Sequence, residues 1–443
     1  MGRREDWRTQ SRRMGSIYAN PYLTIAASSA ADSNAGFCTT RSWIRAISTK
    51  QDGSKIMAYV YRSDITIHSP GTLDNRGWFY QEWLLSGRIL WFDEHEMSWS
   101  CVQDDFCECA VIGLDIGYDV HYVDRTRARK MYRKMHSETW SIDPHNAWYD
   151  LVGPYTDRQL TFQTDRLPAF TAIAEWFQQL TGDVYLAGFW KSHLLEGMSL
   201  HNSHDHIYGS CCECDGDLCR GCCTSSEPVA PSWSWASSGG YKRSFPGLVP
   251  DMAKSGREPL DTEVVNVDYR PLSDNEFGPG RGKITLRGRI GLALLTPSPG
   301  SPYFSKSYLT SVSSSSPTTI SSDLFLQQKL FLDSCALNCR QWSFSCFPDV
   351  SETKTVQRSE TGPAEYVHEA LVLLLPLRVD RWDPKHASSH CPPNRWYILL
   401  LAPSSNISQD VGLYQRIGLV CIIDAATFEE FFGEARVQTV TIE

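Results

Sequence analysis

"DNRGWFYQEWLLSGRILWFDEHEMSWSC", Asp74 to Cys101, reads as a helix followed by a hairpin. Arg76 to Leu85 form a short aromatic helix closed by Ser86-Gly87, and "RILWF" and "EMSWSC" flank a polar turn at Asp93, Glu94 and His95. In the second strand Met97, Trp99 and Cys101 alternate with Glu96, Ser98 and Ser100. One face of that strand is therefore expected to be buried, and the apolar set names it.

Upstream, Trp7, Met14, Ile17 and Tyr18 recur at helical spacing, and the helix is expected to stop at Asn20-Pro21 because the residue before proline avoids the α region. "YLTIAAS" then follows as a short buried strand. Downstream, Phe170, Ile173, Ala174, Phe177 and Leu180 trace one helical stripe, with Pro168 in its first turn and Thr181-Gly182 as its stop. The strand-like "VYLAGFW" comes next, and after a Cys/His-rich insertion "SWSWAS" places Trp233 and Trp235 on one side of a strand. Beyond about residue 260 short β-rich runs alternate with turns: "TEVVNVDY", "KITLRGRI", "EALVLLLPLRV", "WYILLL" and "IGLVCIID".

With 42% apolar and 21% charged residues over 443 positions, the chain is globular and large enough for two or three cores. Fifteen Trp, 19 Tyr and 18 Phe are expected mainly inside them. A net charge of −9 argues against nucleic acid as a partner. The basic run "RTRARKMYRK", Arg125 to Lys134, is expected to be a solvated helix face. No run reaches the ~18 apolar residues that a membrane span needs. Fifteen cysteines, an odd number without small-domain spacing, fit the reduced thiols of a cytoplasmic protein.

In order along the chain, "DWRTQSRRMGSIYANPYLTIAASSAADSNAGFCTTR", "RGWFYQEWLLSGRILWF", "LPAFTAIAEWF", "YLAGFW", "APSWSWAS" and "LYQRIG" resemble landmarks of the fungal heterokaryon-incompatibility (HET) domain family. The Leu-Ser-Tyr-x-Trp-Gly strand and Ile-Asp-x-x-Cys-Ile segment that open such domains do not occur here. The resemblance thus implies an α/β remnant, an incomplete HET sheet of TIR-like kind, over residues 1–100. A helical middle over 101–240, holding the Cys/His insertion 201–223, and a β-rich C-terminal region over 241–443 complete an α+β chain. Within that last region a Ser/Pro/Thr-rich stretch, about 298–322, is expected to be a disordered loop. The function implied is participation in non-self recognition and programmed cell death, through a protein partner of unknown identity and without catalysis.

Two constellations offer chemistry. HET domains have been likened to TIR domains, some of which hydrolyse NAD with a glutamate in a cleft, and that likeness nominates Glu82 as the catalytic residue. Its neighbours Trp78, Tyr80 and Trp83 could raise a carboxyl pKa and stack a nicotinamide. The structural alternative pairs Glu82 with Arg76, Arg88 or a backbone amide; no Gly-rich phosphate loop or second catalytic group accompanies it. In the insertion, Cys212, Cys214, Cys219 and Cys222 could hold a structural zinc in a chain that otherwise needs no cofactor, making it a zinc-stabilised adaptor. The alternative there is a Cys-rich insertion without metal.

Overall fold

The computed structural model describes residues 13–37, 44–60, 72–93, 97–107, 120–135, 143–202, 230–237, 242–243, 257–259, 262–297, 307–311, 319–321, 329–332, 370–381, 394–404, 412–422 and 425–443. The chain is α+β and divides into two compact units, Met1–Leu180 and Thr181–Glu443. Among the described residues no helix is long and apolar enough to cross a membrane.

In the first unit helix α1 covers 13–19 and ends at Asn20-Pro21, as the proline dictates. Strand β1 (Thr24–Ala26) follows, then a hairpin of β2 (Ile44–Thr49) and β3 (Lys55–Val60). Helix α2 (Gly77–Leu85) leads into β4 (Arg88–Phe92), β5 (Met97–Cys101) and β6 (Asp105–Cys107). These strands form a four-stranded sheet in the order β1-β4-β5-β6, with β1 parallel to β4 and the other pairs antiparallel.

Helices α3 (Val120–Met135), α4 (Pro144–Thr156) and α5 (Thr171–Thr181) complete this unit. Asp143 caps α4 by accepting from the His145 amide at 3.0 Å, and Pro144 fills the first turn, where no donor is needed. Gly182, at φ +70°, takes the left-handed conformation that ends α5. Between α2, α4 and α5 the rings of Tyr80, Trp148, Tyr155, Phe170 and Phe177 pack in stacked, tilted and edge-to-face pairs at centroid distances from 4.7 to 6.0 Å.

Among its described side chains, from 128 on, the basic run is a solvated face only in part. Arg129 is buried and Arg133 makes an ion pair with Asp105 at 2.7 Å, while Lys130 and Lys134 alone of the four are exposed. Arg129 donates through Nη1 to the Trp83 carbonyl at 2.6 Å and through Nη2 to that of Ser86 at 2.6 Å. It thereby satisfies carbonyls that the end of α2 leaves without intrahelical partners.

In the second unit a tight hairpin joins β7 (Tyr185–Leu186) to β8 (Phe189–Trp190). Its turn residues Ala187 and Gly188 have φ of +47° and +98°, the mirror-image turn that matches strand twist. "SWSWAS" is a turn and a 3-10 segment (Trp235–Ser237), not a strand. The reason is local: the Ser234 hydroxyl accepts from the Ala236 amide at 3.0 Å, bending the chain, and donates to the Ala187 carbonyl at 2.5 Å. Both tryptophans are core, as expected. A Cβ on Gly188 would fall 2.3 Å from Trp235 Nε1. Gly188→Ala should therefore cost about 2 kcal/mol or more in this unit, read as a lower denaturant midpoint.

After helix α6 (Leu194–Gly197), β9 (His201–Asn202) pairs with β10 (Lys242–Arg243). The large sheet then runs through β11 (Arg257–Pro259), β12 (Glu263–Pro271), β13 (Gly280–Pro297), β14 (Ser307–Ser311), β15 (Thr319–Ser321), β16 (Lys329–Leu332), β17 (Ala370–Arg381), β18 (Asn394–Pro403), β19 (Leu413–Ile422) and β20 (Arg436–Ile442). Pairings β13–β17–β18–β19–β20–β13 close a circuit. Leu373 to Leu375 and Leu399 to Leu401 are buried at successive positions, so both faces are covered and the leucine runs are the central strands. Phe428, Phe431 and Phe432 of helix α7 (Ala425–Phe432) close this core.

The Ser-rich stretch expected as a loop contributes β14 and β15, because "SYLTS" holds the strand-forming Tyr308 and Leu309 in register with β13. Arg416 of "LYQRIG" is buried; its Nη1 donates to the Met198 carbonyl at 3.0 Å and its Nη2 to that of Leu200. Its amide donates to the Ser232 hydroxyl at 3.0 Å, so two of the sequence landmarks, "LYQRIG" and "APSWSWAS", meet there.

Candidate functional site

Glu82 lies on α2, between α1 and the aromatic core. Each residue of "RGWFYQEW" has a defined place there. Gly77 packs tightly, since a Cβ there would meet Leu160 Cδ2 at 2.4 Å and require that side chain to shift. Trp78 is half-buried and donates from Nε1 to Asp165 at 3.1 Å. Tyr80 is fully buried and donates to the Leu151 carbonyl at 2.8 Å, with the Arg158 guanidinium 4.8 Å above its ring. Gln81 accepts from the Ala172 amide at 3.3 Å in the first turn of α5.

Glu82 accepts a hydrogen bond from the Tyr18 hydroxyl and is attracted by Arg76. Burial raises its carboxyl above the usual carboxylate range; the Tyr18 hydrogen bond and Arg76 oppose the shift without cancelling it. The same burial, with the Glu82 charge, pushes the Tyr18 phenol far up. Helix α1 can come this close because Gly15 meets Ala172 of α5, where a Cβ would fall 2.8 Å from that residue's own Cβ.

The structure thus brings Glu82 to Arg76, as the sequence suggested, and not to Arg88. Arg88 instead lies over the Tyr22 ring at 5.1 Å and donates to the Tyr22 carbonyl. Tyr18 was missed, although the helical stripe Met14, Ile17 and Tyr18 pointed to a buried side for it. Tyr80 and Trp83, nominated as stacking partners for a nicotinamide, are core residues with no more than 2% of their surface exposed. Cys212, Cys214, Cys219 and Cys222 lie outside the described residues.

Residues 2–82 match the family described as Heterokaryon incompatibility protein (HET). The resemblance read from the N-terminal landmarks is thereby shown over that segment, and Glu82 is its last matched residue. Comparison with curated proteins and with solved structures gave no match.

Proposed function

We propose that this chain acts by protein interaction in fungal non-self recognition that leads to programmed cell death, in the cytoplasm, with Glu82 serving as a packing and hydrogen-bonding carboxylate. One observation carries the reading. The residues around Glu82 are committed inside the unit: Tyr18 to Glu82, Trp78 to Asp165, Gln81 to Ala172, and Tyr80 and Trp83 to the core. A catalytic carboxylate needs a substrate within hydrogen-bond reach, and stacking a nicotinamide on Tyr80 or Trp83 would need a ring face that their burial closes. The hydrolase reading keeps one support, the raised carboxyl of Glu82.

Expression in a fungal host at matched protein levels tests the proposal. Host survival is expected to be the same for the parent chain and Glu82→Gln, because Gln retains an acceptor for Tyr18. Death with the parent and survival with the variant would defeat the interaction reading in favour of hydrolysis. The zinc-adaptor reading is tested by elemental analysis of the purified chain, with Cys219→Ser/Cys222→Ser as its control.

Stability against pH gives a further check. A carboxyl raised on folding adds stability that is full below its unfolded pKa and lost as pH rises through the folded one. Glu82→Gln should therefore melt at or above the parent temperature near neutral pH, and this advantage should vanish under acid conditions. A variant that melts lower than the parent at neutral pH would show that the ionised carboxylate is net stabilising.

A further inference from the structure

The sheet of the first unit has two unequal faces. On the inner one Thr24 bonds the Ser86 hydroxyl at 2.9 Å, Trp91 meets Phe79 of α2 at 5.8 Å, and Ser100 and Asp105 engage Arg133 of α3. Alternation then sends one cross-strand row outward through all four strands. Ile25 pairs with Leu90, Leu90 with Trp99, and Trp99 with Phe106.

This outer row is apolar throughout and open: Ile25 is 55% and Phe106 59% exposed, with Leu90 and Trp99 half-buried. The face that the alternation of Met97, Trp99 and Cys101 marks for burial is thus the outward one. The buried side of β5 is that of Ser100, held by the Asp105 carboxylate at 2.5 Å. Contiguous apolar patches of this kind mark interaction surfaces.

Two quantities select the occupant. Two five-residue strands about 17 Å long and two three-residue strands about 10 Å long, about 4.8 Å apart, offer roughly 260 Å². A stable two-fold dimer of this chain buries about 800 Å² per partner, so the face is too small for a second copy. A single helix of about 12 residues, about 18 Å long, matches the width of the sheet. Arg88, exposed at the end of β4 and outward by the same alternation, adds one positive charge to the rim.

We propose that this face binds an amphipathic helix of a partner protein, its apolar stripe on the Ile25–Phe106 row and an acidic side chain against Arg88. The proposal deepens the interaction reading above, and it can fail without it, because binding is measured in vitro and host survival is not involved.

Two labelled synthetic peptides of about 14 residues, with one leucine stripe and either Glu or Lys flanks, are titrated with the full chain by fluorescence anisotropy. The Glu peptide is expected to bind at least about tenfold more tightly, despite a chain charge of −9. Arg88→Glu should reverse the order, and Ile25→Asp or Phe106→Asp should weaken Glu-peptide binding at least about tenfold with unchanged melting. Equal binding of the two peptides, binding of neither, or Asp variants that bind like the parent would overturn the proposal. So would a concentration-dependent dimer in light scattering that Phe106→Asp abolishes, which would put a second copy on the face.

Discussion

Replacing Arg129 by Ala is expected to lower the stability of the first unit by on the order of 3–5 kcal/mol, each orphaned buried carbonyl costing about 1–3 kcal/mol. Arg129 is only 3% exposed, and its guanidinium spans the carbonyls of Trp83, Leu84 and Ser86. Burial holds its pKa down at about 10, so it stays cationic at neutral pH and faces the negative end of the α2 dipole. Lysine cannot stand in, because one ammonium does not reproduce the fork that reaches carbonyls across the last turn of α2. Arg129→Lys should recover little of the loss, and Lys130→Ala, at an exposed position beside it, should cost almost nothing. Denaturant titration of the full chain reads all three. A near-neutral Arg129→Ala would mean that water replaces the guanidinium at the helix end.

Trp235→Ala should cost the second unit about 3–5 kcal/mol, the usual range for deleting a buried tryptophan. Trp235 is 1% exposed, donates from Nε1 to the Gly188 carbonyl at 2.9 Å and covers the left-handed turn of the β7–β8 hairpin. Removing it leaves a cavity beneath a turn that then keeps the Ser234 hydroxyl bond to the Ala187 carbonyl. Hydrogen exchange at Ala187 to Phe189 should rise together with the loss of global stability. Protection that survives in the variant would show the hairpin to be self-sufficient, with Trp235 as filler only.

Elements whose signal is local were legible in the sequence. Helix α2 closes at Ser86-Gly87, α5 follows its stripe to Gly182, and the leucine runs around Leu374 and Leu400 are central strands. Most of what failed required a distant partner. The buried side of β5 is set by Arg133, about thirty residues away, which gives Ser100 and Asp105 a charged ligand and leaves Trp99 outward. The run from Arg125 to Lys134 looked like solvent-facing charge because nothing nearby reveals that Arg129 ends another helix. "SWSWAS" alternates like a strand, yet hydroxyl bonds from Ser234 bend it. For the candidate site, Glu82 and Arg76 were visible as neighbours on one segment, whereas Tyr18 needs the Gly15–Ala172 helix contact to reach it.

The most direct test of an interacting, non-hydrolytic chain is nicotinamide release by the purified protein incubated with NAD, beside Glu82→Gln. The account predicts release from both proteins at the rate of a protein-free blank. Release by the parent above that blank, abolished in a folded Glu82→Gln, would contradict it.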